Sequence, residues 1–203
     1  VLGLHIDNHL NWKEQVNIIC KRLNSSIALL KRINYYLCPE MKTMFYNSYF
    51  MSISDYCWGF GGKGKTVPQN YSNTIKRAAR IISNKTARTS SEALFKEQKW
   101  LTFPDRCNYH YALLVYKTLN DNAPSYMTEL ISTANNVTYH LRSQSHKELS
   151  LSTRSKTKYM TDTCSYYSLN IWNNTPLQIR KITNENHFKK AYKEYLFKLF
   201  CET

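Results

Sequence analysis

At 203 residues, 42% of them apolar, the chain can bury one sizeable core or two small ones and is too apolar for wholesale disorder. Its 28 Lys and Arg against 14 Asp and Glu give a net charge of +14, which favours a polyanionic partner, nucleic acid ahead of an anionic membrane surface. No apolar run approaches the roughly 20 residues of a spanning helix and no lipidation signal is present, so membrane association is the minor reading.

The opening Val1-Leu2-Gly3-Leu4-His5-Ile6-Asp7 alternates Leu2, Leu4 and Ile6 with Gly3, His5 and Asp7, the period of a half-buried strand over residues 1–10. A lone strand borrows its partners from elsewhere. With no initiator Met and no signal sequence, the chain reads as the downstream part of something longer. Asn11 and Glu14 then have capping-box spacing, and Trp12, Val16, Ile19, Leu23, Ile27 and Leu30 give a helix with one apolar face through Ile33. Lys13, Lys21, Arg22, Lys31 and Arg32 fall mostly off that face.

Cys38-Pro39-Glu40 marks a break and a second helix start, with Pro39 near N1. That helix is expected to run to about Tyr56, with Met41, Phe45, Tyr49, Ile53 and Tyr56 packing on the first helix as an αα-hairpin. Four of the five glycines follow between Gly59 and Gly64, with Lys63 and Lys65 among them. The letters of a P-loop are satisfied by Gly59-x4-Gly64-Lys65-Thr66. Its context is not, because a helical stripe precedes it and Val67-Pro68 interrupts the run behind it.

From Tyr56 to Ser91 there is no acidic residue, yet Lys63, Lys65, Lys76, Arg77, Arg80, Lys85 and Arg88 all lie there. Around Ile75 to Ile82, Ile75, Ala78, Ala79 and Ile82 form one helical face and Lys76, Arg77 and Arg80 the opposite one. Such a face suits phosphates rather than sequence reading. The bland alternative, a solvated surface, is weakened by the absence of acidic neighbours for i,i+4 pairing.

Glu92 to Lys99 reads as a short helix. Phe103-Pro104-Asp105 starts a longer one that stops at the Asn120-Pro124 turn cluster, and Ser125 to Ile131 is another short helix. Residues 132–163 form a Ser/Thr-rich basic linker with an edge strand at Leu149 and Leu151, ordered on a partner. The last helix sets Phe188, Ala191, Tyr192, Tyr195 and Leu199 on one face. The expected fold is mainly α: a helical bundle after one strand, then a small α(+β) C-terminal region, with segments 1–10, 11–90, 91–131, 132–163 and 164–203.

Chemistry is sparse. No two carboxylates are adjacent, no D-x-D offers a two-metal site, and neither G-x-S-x-G nor H-E-x-x-H occurs. Cys107-x-x-His110 supplies two ligands where structural zinc needs four, so a shared helix is the simpler reading. Six scattered cysteines fit reduced thiols in an intracellular protein. No catalytic residue, metal site or cofactor is expected in this chain.

The pieces come in a particular order. Leu2-Gly3-Leu4-His5-Ile6-Asp7, Leu10-Asn11-Trp12-Lys13, Lys76-Arg77-Ala78-Ala79-Arg80-Ile81-Ile82 and Trp100-Leu101-Thr102-Phe103-Pro104 are followed by Tyr109-His110, Val115-Tyr116-Lys117 and Leu119-Asn120-x-x-Ala123-Pro124. Arg142-Ser143, Ser165-Tyr166, Ile171-Trp172-Asn173, Pro176, Ile179-Arg180 and Phe188-Lys189 complete the series. Together they resemble the tail of the reverse transcriptases of jockey-like non-LTR (LINE-type) retrotransposons, over nearly the whole chain; the glycine-rich stretch Cys57 to Asn70 departs from the pattern.

The resemblance implies that Leu2, Gly3 and Leu4 belong to a primer-grip-like palm edge and that the following helices form a thumb holding RNA and DNA as template-primer duplex. The upstream palm, with its Asp-Asp pair and Mg, is missing from the sequence. An intracellular, nuclear setting follows. The competing expectations are a domesticated or decayed fragment acting as an interaction protein, and an independent nucleotide-binding enzyme using Gly59 to Thr66.

Overall fold

The computed structural model describes residues 3, 5, 13–56, 69–133, 149–151 and 163–202, and these are mainly helical. The chain divides into two compact units, Val1–Phe103 and Pro104–Thr203. The expected opening strand and the glycine-rich loop lie almost wholly outside the described residues.

In the first unit, α1 (Lys13–Ile33) buries Ile19, Leu23, Ile27 and Leu30, the expected face, while Lys21, Arg22, Lys31 and Arg32 are exposed. The next helix starts at Pro39 as expected but is not uniform. It comprises α2 (Pro39–Phe45), a π-helical turn (Tyr46–Phe50) and α3 (Met51–Asp55). Its buried row is Lys42, Tyr46, Phe50, Met51 and Ser54, whereas Met41, Tyr49 and Tyr56 are exposed. The expected stripe was therefore one residue, about 100° of arc, out of phase. Bulky apolar residues surround this segment, so spacing alone does not choose its inner face, and the π turn re-phases the row between Phe50 and Met51.

α4 (Gln69–Ile82) packs against α1, α2 and α5 (Ser91–Gln98), burying Tyr71, Thr74, Ile75, Ala78, Ala79 and Ile82. The fully buried alanines allow close helix approach. Tyr71 hydrogen-bonds Ser54 inside the core and meets Phe103 edge-on at 4.6 Å. Tyr46 stacks on Trp100 with ring centroids 3.8 Å apart.

A Schellman closure delivers Trp100 to that stack: Lys99 takes φ 53° while Lys99 N donates to Lys96 O and Trp100 N to Phe95 O. α4 and α6 (Phe103–Leu119) close in the same way, with Asn84 at φ 51° and Asp121 at φ 55°.

In the second unit, α6 buries Cys107, Tyr111, Ala112, Val115, Tyr116 and Thr118. α7 (Ser125–Leu130) ends one residue earlier than expected because Ile131 opens β1 (Ile131–Thr133). The strand expected at Leu149 and Leu151 is β2 (Leu149–Leu151), paired antiparallel with β1 in the register Ile131 to Leu151. The rest of the linker is outside the described residues.

α8 (Cys164–Asn174) is capped by Thr163 and buries Leu169 and Trp172. α9 (Leu177–Arg180) leads to α10 (Glu185–Glu202), whose buried row is Phe188, Tyr192 and Leu196. Leu199, expected on that face, is exposed at the helix end. Phe188 stacks between Tyr116 at 4.2 Å and Tyr192 at 5.7 Å, and the Tyr116 hydroxyl donates to Thr183 O.

Asn173 behaves as a third strand edge. Its carboxamide accepts from Leu149 N and donates to Leu149 O, both at 3.0 Å, which satisfies the backbone of a buried residue that no further strand covers among the described residues.

Two substitutions test these joints. Lys99→Gly removes the left-handed penalty on a non-glycine residue and is expected to raise unfolding free energy by about 0.5–1 kcal/mol in chemical denaturation. Asn173→Ala is expected to cost about 2 kcal/mol for two lost hydrogen bonds. Asn173→Asp should cost at least as much at neutral pH, where a carboxylate faces the Leu149 carbonyl, and should recover in acid, where a protonated carboxyl can donate.

Candidate nucleic-acid interface

The functional expectations centre on α4, and its sequence fixes its rotation. At about 100° per residue, Tyr71, Thr74, Ile75, Ala78, Ala79 and Ile82 share one side. Gln69, Asn73, Lys76, Arg77 and Arg80 fall within roughly a quarter-turn arc directly opposite. The core takes the first set, so the cations are left on the outer side.

The five described cations differ in their surroundings. Arg77 is exposed, and its Nη1 donates to Asn24 Oδ1 of α1 at 3.2 Å. Lys76 is half-buried. Lys85 and Arg88, in the segment after α4, are exposed. None of them pairs with a carboxylate among the described residues.

Arg80 corrects the expectation of a uniformly outward row. It is half-buried, and its Nε donates to Thr89 O at 3.2 Å, tying the segment after α4 back onto the helix. A guanidinium reaches that carbonyl because the Schellman closure folds residues 85–89 back over the last turn. Lys63, Lys65, Leu2 and Leu4 lie outside the described residues. Gly3 is in a turn with φ 75°, a left-handed conformation that suits glycine and not a strand. His5 N, two residues on, donates to the buried Gln15 Oε1 at 2.9 Å.

Sequence reasoning missed the groove beside this face. Glu14, Asn17, Lys21 and Asn24 of α1 line it with Asn70, Asn73 and Arg77 of α4, enclosing about 530 Å³. Asn17 and Asn24 are two turns apart on α1, and Asn70 and Asn73 one turn apart on α4, a pattern visible only once the two helices are known to be neighbours. The amides supply paired donors and acceptors next to Arg77, suited to phosphate and sugar oxygens.

Burial pushes the Cys20 and Cys164 thiols up, which keeps them protonated and poorly nucleophilic. Cys107 and His110 share α6, and no group of three His, Cys, Asp or Glu side chains able to hold a metal ion occurs among the described residues. No described helix is long and apolar enough to cross a membrane.

Because Arg80 is anchored and Lys76 and Arg77 are not buried in pairs, their removal should separate. Arg80→Ala is expected to lower unfolding free energy by about 1 kcal/mol, whereas Lys76→Ala should stay within about 0.5 kcal/mol of wild type in the same denaturation. Equal losses would mean that the Thr89 contact contributes nothing. No protein-family model, curated protein or solved structure matches the chain.

Proposed function

We propose that this chain grips nucleic acid for a retrotransposon-type reverse transcriptase. It holds the template-primer duplex of RNA and DNA by its phosphates and takes no part in the chemistry. The observation that carries the reading is the outer side of α4, where Lys76 and Arg77 stand opposite a tightly packed face with no carboxylate near in sequence. Lys85 and Arg88 extend this charge beyond the helix, and Lys63 and Lys65 precede it. The family resemblance supplies the rest: a palm upstream of Val1 carries the Mg-dependent polymerase step, and the setting is the nucleus.

Electrostatics set the mode of binding. Isolated Lys and Arg on a helix face contact phosphates without reading bases, and each contact releases condensed counterions. The neighbouring asparagines add neutral hydrogen bonds to the backbone and help fix the register of the duplex.

One observation favours a second reading, a domesticated interaction protein. Met41, Met44 and Tyr49 are exposed on the outer side of the second helix, an apolar surface that suits a protein partner. The DNA upstream of Val1 separates the two: an open frame with an Asp-Asp palm favours the polymerase, and a start codon just before Val1 favours the free-standing protein.

The binding reading is tested with a template-primer duplex across a salt series. Wild-type affinity should fall steeply with salt, and Lys76→Ala with Arg77→Ala should weaken binding and flatten the log–log slope by about two. A slope unchanged by the double substitution removes the α4 assignment, and no binding by the wild type at low salt removes the whole reading.

A further inference from the structure

The turn that follows α1 carries two tyrosines with almost no protein cover. Tyr35 is 91% exposed and Tyr36 82%, and their rings meet edge to face with centroids 5.5 Å apart. Side chains of this size are ordinarily covered in large part, so two neighbours standing in water form an unoccupied contact surface.

The turn is anchored. Asn34 Nδ2 donates to Asn84 Oδ1 at 2.8 Å, and Tyr36 N donates to Ile33 O at 2.9 Å, which places the tyrosines beside the closure of α4. Four exposed cations belong to the same end of the unit: Lys31 and Arg32 in the last turn of α1, and Lys85 and Arg88 just after α4. Neither residues 15–39 nor residues 56–91 contain an Asp or Glu.

Two helix C-termini meet here, and their carbonyls alone would repel an anion. The amides of Asn84 and Lys85 occupy the Ile81 and Arg80 carbonyls, and four full positive charges outweigh the roughly half charge of each helix end.

We propose that this end of the first unit binds a single strand of nucleic acid. Two successive bases lie on Tyr35 and Tyr36, while Lys31, Arg32, Lys85 and Arg88 hold the adjacent phosphates. An edge-to-face pair cannot sandwich one base between its rings, so each ring offers its own face to a different base. Every base has a π-face, which makes the site tolerant of sequence, and a duplex keeps those faces stacked inside, which makes the site selective for unpaired strand. An anionic bilayer shares the charge attraction and tyrosine also sits at lipid interfaces, but two rings on a turn offer far less apolar area than the amphipathic helix face that anchors in lipid.

The inference rests on the nucleic-acid reading of α4 and is tested apart from it. The full chain is titrated with a fluorescent ten-nucleotide oligouridine, a blunt duplex and vesicles of one-third phosphatidylserine. Tyr35→Ala with Tyr36→Ala should weaken oligouridine binding about tenfold or more and leave duplex affinity and its salt slope unchanged. Tyr35→Phe with Tyr36→Phe, which keeps both rings, should retain oligouridine affinity. An unchanged affinity in the alanine variant, equal losses on oligouridine and duplex, or vesicles that displace the oligouridine would each overturn the proposal. Loss of duplex binding in Lys76→Ala with Arg77→Ala, with the tyrosine result intact, shows the α4 reading holding separately. A wild type that binds oligouridine through the tyrosines but no duplex sinks the α4 reading alone.

Discussion

The packing of α4 onto α1 is the constraint on which the first unit depends. Ala78 and Ala79 are fully buried, as are Leu23, Ile27 and Leu30 of α1. Small residues let the helix axes come close, and at close range a rotation of even one residue would drive Lys76 or Arg80 into the core. Desolvating a cation without a partner costs far more than the packing returns, so the rotation of α4 is held tightly. The outward position of Arg77 and the groove beside it follow from that one contact. The Asn34–Asn84 bond then fixes the far ends of the same two helices together.

Charge is not spread evenly over what this packing creates. Residues 1–103 hold fifteen Lys and Arg against six Asp and Glu. In the second unit, by contrast, Lys117 and Lys189 converge on Glu185 at 3.8 and 2.7 Å, and those cations hold its carboxyl below the usual range. A positive side chain there is answered locally and adds little field at a distance. The cations on and after α4 have no such answer in the described residues, so their field reaches solvent. Net charge alone could not distinguish these two situations, because both kinds of lysine count equally in it.

What could be read from the sequence depended on contrast. α1 and α4 set apolar residues against Lys, Arg and Asn, so their spacing defined both faces, and Pro104 with the Asn120–Pro124 cluster delimited α6. Contrast failed between Met41 and Tyr56, where Met, Phe and Tyr stand on every side and a π turn shifts the phase. It failed again at Leu199, an apolar residue in the last turn of α10 that shares the angular position of the buried row yet is exposed. Arg80 and Asn173 were beyond the reach of periodicity for another reason. Their partners, Thr89 O and the Leu149 backbone, are main-chain groups whose position no side-chain pattern records.

The same distinction bears on why binding surfaces here sit where they do. A residue whose polar atoms are committed to the fold cannot also respond to a ligand without loosening the fold, and Arg80 is in that position. Arg77, Lys85 and Arg88 are exposed, and among the described residues only Arg77 of these three bonds a neighbour through its side chain, a neutral amide that a phosphate oxygen can replace without leaving a buried charge. Tyr35 and Tyr36 extend this logic to apolar contact. Their turn is held by the Asn34 side chain and the Tyr36 amide, so the backbone carrying both rings is fixed while the rings contribute almost none of their area to the core. Fixing the backbone of the turn, with the rings left in solvent, makes a surface whose backbone ordering cost is met before a ligand arrives, while the ring rotamers are ordered on contact.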